Sequence, residues 1–167
     1  MATYTPELAT PDPFFLDQLG DDSPHAPRIL LAEDDPELRC LLASSLREDG
    51  YEVVEAENSI ELLQRLEPAF LRSAVTSTRR EYDLVISDIH MRWFSAFAVL
   101  APFRKRDPVT PLILIASLED EVTLDEARSL GAAAVIEKPV DLDQVRSEVR
   151  RIVPGLVTED VLTAVGE

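Results

Sequence analysis

The sequence has few of the residues on which several common kinds of site depend. Among its 167 residues there are one cysteine, two histidines and one tryptophan. The single cysteine, Cys40, excludes an internal disulfide, and so few Cys and His ligands argue against zinc. Cys40 lies among apolar neighbours in LRCLLASSL, which favours a buried structural role for its side chain.

Basic residues and long apolar runs are also scarce. There are 16 Lys and Arg against 32 Asp and Glu, which gives a formal charge of -16 at pH 7. Such a chain repels phosphate backbones, so we expect no direct contact with nucleic acid or anionic lipid. No apolar run approaches the ~20 residues of a membrane helix, and the N-terminus lacks the pattern of a secretory signal. We therefore expect a cytoplasmic protein.

Composition divides the chain into three parts. Residues 1–27 are acidic and proline-rich and contain no Lys or Arg, which predicts a disordered extension. Residues 28–153 carry the alternating apolar pattern of one folded domain. Residues 154–167 are too short for a second domain and are predicted to form a C-terminal tail.

Five short apolar runs alternate with segments of helical period within residues 28–153. They cover residues 29–32, 51–56, 83–87, 112–116 and 133–136. Strands that alternate with helices form parallel βαβ units, so the pattern predicts an α/β fold. Between the second and third runs, we expect a long helix followed by an exposed polar excursion.

The helices carry recognisable start and stop signals. The first is predicted to begin with Asp35 as N-cap and Pro36 at the first helical position, and to end at Gly50. Its apolar face is predicted to consist of Leu38, Leu41, Leu42 and Leu46. A later helix is expected to stop at Gly131. The last is expected to open with Asp141 and Gln144 and to turn Val145, Val149 and Ile152 inward.

Charged residues follow three of the predicted strands at the point where each strand ends. The first strand ends in Glu33, Asp34 and Asp35, the third in Asp88, and the fifth in Lys138. Functional groups gather at the carboxyl ends of strands in an open parallel sheet. Two carboxylates about 4 Å apart repel by roughly 4 kcal/mol at an effective dielectric near 20, so this cluster needs a counter-charge or raised pKa values. Oxygen ligands suit Mg²⁺, and Lys138 could then balance an arriving phosphate.

Each of these features also has an ordinary explanation, such as an N-cap at Asp35 or a simple Lys-Pro turn. Their joint placement is more specific, together with the motifs ILLAEDDPELR, YDLVISDIHM and GAAAVIEKPVDLDQV in this order. Over about Arg28 to Val153 the chain resembles the receiver domains of bacterial response regulators.

The resemblance implies a doubly wound, flavodoxin-like fold with a five-stranded parallel sheet in the order 2-1-3-4-5. It implies that Asp88 is the phosphorylated aspartate and that Lys138 contacts the phosphate. It also implies that Glu33 and Asp34, with Asp88 and the backbone carbonyl of His90, bind Mg²⁺.

The expected function is that of a stand-alone receiver phosphorylated on Asp88 by a histidine kinase or phosphotransfer protein. It would signal through contact with a downstream protein, with a homodimer left open, and it would catalyse only its own phosphorylation and dephosphorylation. One alternative is a degenerate receiver that binds proteins independently of phosphorylation. Another is a Mg²⁺-dependent phosphatase or hydrolase with Asp88 as nucleophile, although a substrate cap and a second catalytic acid are missing.

The sequence departs from the family in the loop after Asp88. Receivers usually continue with a Pro-Gly turn and a second Gly a few residues later, whereas this chain has the segment 92–96, RWFSA. Glycine serves where φ is positive or where backbones pass closely. Trp93 and Ala96 therefore predict a reshaped loop or a displaced third helix, and a shift of the His90 carbonyl.

A second departure affects the positions through which receivers report phosphorylation. Where the family has a switch Ser or Thr, this chain has Ala116, with Ser117 next to it. Where many receivers have a mobile Tyr or Phe, it has Val135. We therefore expect the usual hydroxyl-and-aromatic switch to be missing or altered.

Overall fold

A computed structural model of the chain describes residues 25–71, 80–117 and 121–154. The five predicted strands are all present, and their bounds agree with the predicted runs to within one residue. They are β1 Arg28–Ala32, β2 Glu52–Ala56, β3 Leu84–Asp88, β4 Leu112–Ala116 and β5 Ala134–Glu137.

Five helices connect or follow these strands in the described ranges. They are α1 Pro36–Glu48, α2 Ser59–Leu71, α3 Phe97–Arg106, α4 Glu121–Ser129 and α5 Leu142–Ile152. None of the helices described here has the length and apolar character needed to cross a membrane. The predicted extension up to residue 24, most of the predicted polar excursion (72–79) and the tail from residue 155 lie outside the described residues.

The strands form one parallel sheet in the order β2-β1-β3-β4-β5, as predicted. Ala32 of β1 pairs with Ser87 of β3, so the residues that follow β1 emerge beside Asp88. Ala116 of β4 pairs with Glu137 of β5. Lys138 therefore leaves the sheet at the same edge as the three acids.

The core consists of two apolar clusters. Side chains of one strand alternate between them, so Leu30 and Ala32 of β1 belong to one cluster and Ile29 and Leu31 to the other. Full burial of a Leu or Ile side chain contributes about 1.5–3 kcal/mol. Every residue of β3 and β4 is buried, which fixes the strand ends that carry the site.

Local signals in the sequence place the helix ends as predicted. Asp35 Oδ1 accepts hydrogen bonds from the amides of Glu37 and Leu38, at 2.9 and 3.1 Å, and Pro36 begins α1. Gly50 follows α1 with φ +90°, a left-handed conformation that glycine adopts without strain. Asp141 Oδ1 caps α5 by accepting from the amide of Asp143 at 2.8 Å.

The predicted apolar face of α1 was wrong at one residue, and so was the predicted burial of Cys40. Cys40 is exposed, and Leu41 is 52% exposed. Successive helical residues are rotated by about 100°, so Leu41 and Ala43 lie on opposite flanks of Leu42. The helix is oriented so that Ala43 packs inward beside Leu42 and Leu46, which turns Leu41 outward.

Candidate functional site

Three predicted acids meet at the carboxyl edge of the sheet. Glu33 and Asp34 follow β1, and Asp88 is the last residue of β3. One carboxylate oxygen from each lies within 4.8 Å of the others. Glu33 and Asp88 are buried while Asp34 is half-buried, so the cluster opens to solvent on the side of Asp34.

Lys138 lies directly against this cluster, as predicted. Its Nζ donates a hydrogen bond to Asp88 Oδ2 at 2.7 Å and is 3.8 Å from Glu33 Oε2. Burial alone would lower the pKa of Lys138, but the hydrogen bond and charge of Asp88, helped by Glu33 and Asp34, raise it overall. The ammonium group therefore stays charged beside Asp88.

Glu33 is the least satisfied acid in the cluster. Its Oε1 accepts a hydrogen bond from the Asp35 amide at 3.1 Å, whereas the buried Oε2 has no hydrogen-bond partner. Burial raises the pKa of Glu33 to about 7, with the nearby charge of Asp88 adding to the effect and Lys138 opposing it. A single ammonium group thus leaves the three carboxylates short of positive charge.

The loop after β3 is attached to the acids by two backbone amides. The His90 amide donates to Asp88 Oδ1 at 3.1 Å, and the Arg92 amide donates to Asp34 Oδ2 at 3.2 Å. His90 itself is exposed at the rim of the site. The loop that departs most from the family pattern is therefore in direct contact with two of the predicted metal ligands.

Trp93 adopts the backbone conformation that a glycine would favour. Its φ is +83°, and it is the only residue other than glycine with a positive φ among those described. The start of α3 is held by the Ala96 amide, which donates to the Ile89 carbonyl at 3.0 Å. Ala96 is fully buried, so the small side chain at this position is required by close packing.

Ser59, the first residue of α2, holds this loop in place, a role that the sequence did not predict. Its hydroxyl donates to the Arg92 carbonyl at 2.7 Å and accepts from the Phe94 amide at 3.3 Å. Asn58, which accepts from the Glu61 amide at 2.9 Å, marks the start of α2 in the sequence. Nothing in the local pattern, however, indicates a contact with a loop more than thirty residues away.

The three predicted switch positions lie on β4, directly after it and on β5, and they offer little polar chemistry. Ala116 is fully buried at the end of β4, and its carbonyl accepts from the Lys138 amide at 2.9 Å. Ser117 is exposed, and Val135 is partly buried against the core. The methyl group of Ala116 lies where receivers usually have the hydroxyl of a Ser or Thr.

The donor set at this edge fits a hard divalent cation. It consists of carboxylate oxygens, carries more negative than positive charge, and includes the buried, unpartnered Glu33 Oε2. Mg²⁺ prefers oxygen ligands of this kind and usually keeps several waters. The pKa of Glu33 is raised first by burial and then by the charge of Asp88, and a cation would stabilise this buried carboxylate in its charged form.

Comparisons with solved structures identify the class of fold. The chain superimposes on the chemotaxis response regulator CheY4 of Vibrio cholerae with a TM-score of 0.63 at 21% identity, covering 76% of this chain and 98% of that one. It superimposes on the response regulator TrrA of Thermotoga maritima, solved with Mg²⁺ and BeF, with a TM-score of 0.60 at 30% identity. That match covers 76% of this chain and 99% of the other.

Sequence comparisons agree with this class. Residues 29–150 match the family model described as the response regulator receiver domain. Transcriptional regulatory protein GlrR of Escherichia coli is 35% identical over 123 residues, 71% of this chain but only 24% of that protein. Sporulation initiation phosphotransferase F of Bacillus subtilis is 24% identical over 127 residues, 76% of this chain and 94% of that protein.

The chain belongs to the family of response regulator receiver domains. It is therefore a receiver domain of two-component signalling. Receiver domains as a family are signalling modules that interact with histidine kinases or phosphotransfer proteins. The chain spans about a quarter of the length of the GlrR relative.

Proposed function

We propose that this chain accepts a phosphoryl group on Asp88 from the phosphohistidine of a histidine kinase or phosphotransfer protein. The contact between Lys138 Nζ and Asp88 Oδ2, 2.7 Å long inside a cluster of acids, carries the proposal. A carboxylate held this way is at once buried, fixed in orientation and placed beside a positive charge. Those are the requirements of phosphoryl transfer, which depends on positioning and charge stabilisation.

The transfer replaces one bond to phosphorus by another. A carboxylate oxygen of Asp88 forms the new O–P bond while the N–P bond of the donor phosphohistidine breaks, and its electron pair stays on the imidazole. The Asp88 carboxylate is kept in place by the His90 amide and by Lys138. The ammonium group of Lys138 also faces the phosphate oxygens, on which negative charge is concentrated during transfer.

The acidic cluster completes the proposed site. Glu33, Asp34 and Asp88, with the backbone carbonyl of His90, would hold one Mg²⁺ ion, which neutralises charge on the transferring phosphoryl group when it is bound. The buried Glu33 Oε2, without a hydrogen-bond partner in the described structure, supports this assignment. The half-buried Asp34 leaves the entry side open to an incoming donor.

Intact mass spectrometry tests the proposal. The full chain is incubated with Mg²⁺ and acetyl phosphate, and we expect a gain of one phosphoryl group that is labile to alkali and absent from Asp88→Asn. Asp35→Asn is the matched control, because Asp35 caps α1 and lies beside the cluster without belonging to it. No mass gain with acetyl phosphate or with any cognate kinase would refute the proposed function.

A phosphorylation-independent binding module is the second candidate. It is favoured by Ala116 and Val135, which provide neither the hydroxyl nor the aromatic ring that the family switch uses. Hydrogen exchange with and without beryllofluoride, a phosphoryl mimic, separates the two. A change in exchange at residues 90–96 or 112–117 supports signalling by phosphorylation, whereas identical protection with a bound mimic supports the second candidate.

A further inference from the structure

The loop after β3 exposes an aromatic side chain that the fold itself does not use. Trp93 is 74% exposed and has a φ of +83°. This backbone conformation is sterically unfavourable for a bulky residue. Exposed Trp93 recovers little of that cost by burial, so the folded domain gains nothing evident from having tryptophan at this position.

The loop nevertheless holds Trp93 firmly in place. Arg92, the residue before it, is held by two backbone hydrogen bonds: its amide donates to Asp34, and its carbonyl accepts from the Ser59 hydroxyl. The residue after it is fixed through the Phe94 amide, which also bonds Ser59. An indole presented by such a braced loop binds with little loss of conformational entropy.

Trp93 also borders the open side of the phosphorylation site. It shares a groove of about 280 Å³ with Asp34, Pro36, Arg39 and Asn58. The side chain of Asp88 is only 2% exposed, so a donor must bring its phosphohistidine into this opening. A protein that does so will cover the rim on which Trp93 lies.

A second aromatic side chain beside Trp93 enlarges this surface. Phe94 follows it in the loop and is partly exposed. Aromatic groups of this kind form the anchors of protein interfaces. The patch is therefore suited to a protein surface with an apolar pocket.

Charge distinguishes between the possible occupants of the patch. The groove itself is balanced in charge, since it is lined by two acids, Asp34 and Glu57, and two arginines, Arg39 and Arg92. The chain as a whole carries -16, and residues 1–27 contain no Lys or Arg. A second copy or the N-terminal segment would therefore bring charge of the same sign, which favours a different protein as the occupant.

We propose that Trp93, with Phe94, is the docking anchor for the protein that delivers the phosphoryl group to Asp88. The inference rests on the proposed function and adds a determinant of donor specificity to it. Trp93 is in this view a positioning residue, which binds the donor and takes no part in the chemistry.

The test compares two phosphoryl donors on the full chain. One is acetyl phosphate, which needs no docking surface, and the other is the purified histidine kinase or phosphotransfer protein of the same organism that phosphorylates the chain fastest. The measured quantity is the ratio of kcat/KM for the protein donor to the rate constant for acetyl phosphate. Taking the ratio cancels any effect of a substitution that slows both reactions equally.

Trp93→Gly is the informative variant, because glycine adopts the left-handed conformation without strain and the domain should stay folded. We expect the ratio to fall at least about tenfold, mainly through a higher KM for the protein donor. Trp93→Phe should keep the ratio within about threefold. Val109→Ala serves as the control, since Val109 is exposed just before β4, at the opposite edge of the sheet, and should leave the ratio unchanged.

Two results would overturn the proposal. An unchanged ratio in a folded Trp93→Gly variant would show that the donor does not use the indole. Failure of both donors to phosphorylate the unsubstituted chain would remove the proposed function, and this inference with it.

Discussion

Two charged clusters of this domain differ in how completely their charges are paired. At the carboxyl edge of the sheet, Glu33, Asp34 and Asp88 share the single ammonium of Lys138. At the other end, one acid, Asp49 at the end of α1, lies between the guanidinium groups of Arg146 and Arg150 of α5. One cluster has too few positive charges and the other has an excess.

The hydrogen bonds of the two clusters show the same contrast. Both oxygens of Asp49 accept bonds from Arg146, at 2.5 and 2.8 Å, and the pKa of Asp49 is lowered, chiefly by those bonds. Glu33 keeps one buried oxygen without a partner, and burial raises its pKa. The paired cluster, Asp49 with Arg146 and Arg150, joins two helices. The underpaired cluster, Glu33, Asp34 and Asp88 with Lys138, retains an excess of negative charge, as our proposal of a Mg²⁺ ion at this site requires.

The largest effect is expected from removing Lys138, the cation of the underpaired cluster. Lys138→Met should slow phosphorylation by acetyl phosphate about 100-fold, because the phosphate loses a preorganised positive charge. Arg146→Met, which removes a cation from the paired cluster, should leave the rate within about twofold. Rates are followed by intact mass. An equal fall in the phosphorylation rate of both variants would show that the two clusters do not differ in function.

A gain in stability is expected from removing a negative charge from the underpaired cluster. Glu33→Gln should raise the free energy of unfolding by about 1–2 kcal/mol near pH 8, since a buried carboxylate with an oxygen that lacks a hydrogen-bond partner destabilises the folded state. Its folded-state pKa of about 7 lies above the ordinary 4.5. The folded state therefore binds the extra proton between those values, and the cost of Glu33 grows as the pH rises through this window.

Urea unfolding without Mg²⁺ measures this gain. The advantage of Glu33→Gln should shrink as the pH is lowered from about 8 towards about 5, where the native carboxyl group is already protonated. A variant that is less stable than the unsubstituted chain near pH 8 would show that Glu33 is satisfied in the fold. Asp35→Asn again provides a neighbouring control outside the cluster.

The paired cluster should respond in the opposite direction. Asp49→Asn should lower the free energy of unfolding by about 1 kcal/mol near neutral pH, a value limited by the exposure of its arginine partners. Asp125→Asn removes an acid from an exposed pair with Arg128 within α4 and should change stability by less than about 0.5 kcal/mol. Thermal and urea unfolding of the three proteins measure the difference.

The smallest predicted effect is the pH dependence of that difference. The pKa of Asp49 is lower in the folded state than its ordinary 3.8. Its stabilising contribution is therefore complete above about pH 4 and is lost as the pH falls through the lower, folded-state pKa. The gap between the unsubstituted chain and Asp49→Asn should narrow at the acid end of an unfolding series, and a gap that widens there would contradict the assignment.

The sequence predicted the architecture well because its signals are local. Apolar runs gave the strands, and Asp35, Gly50 and Asp141 gave helix ends that their own hydrogen bonds or backbone angles explain. Strand order came from the resemblance to receivers. The error at Leu41 arose because the rotation of a helix about its axis depends on what the sheet offers it, which the sequence of the helix does not contain.

The candidate site was predicted in part for the same reason. Glu33, Asp34, Asp88 and Lys138 follow buried strands, so their meeting could be inferred once the order of the strands was assumed. The role of Ser59 in bracing the loop could not, because it depends on the distance between two segments that are far apart in sequence. Nor did the pattern around Asp49 indicate its arginine partners in α5.

Trp93 has one more consequence, for how the domain can be observed. It is the only tryptophan of the chain, so selectively excited ultraviolet emission originates from this one point on the rim of the site. The Arg92 amide links the neighbouring backbone directly to Asp34. Ligands that bind at Asp34 should therefore change the tryptophan emission of the unlabelled protein, which makes Trp93 an intrinsic fluorescent reporter of the site.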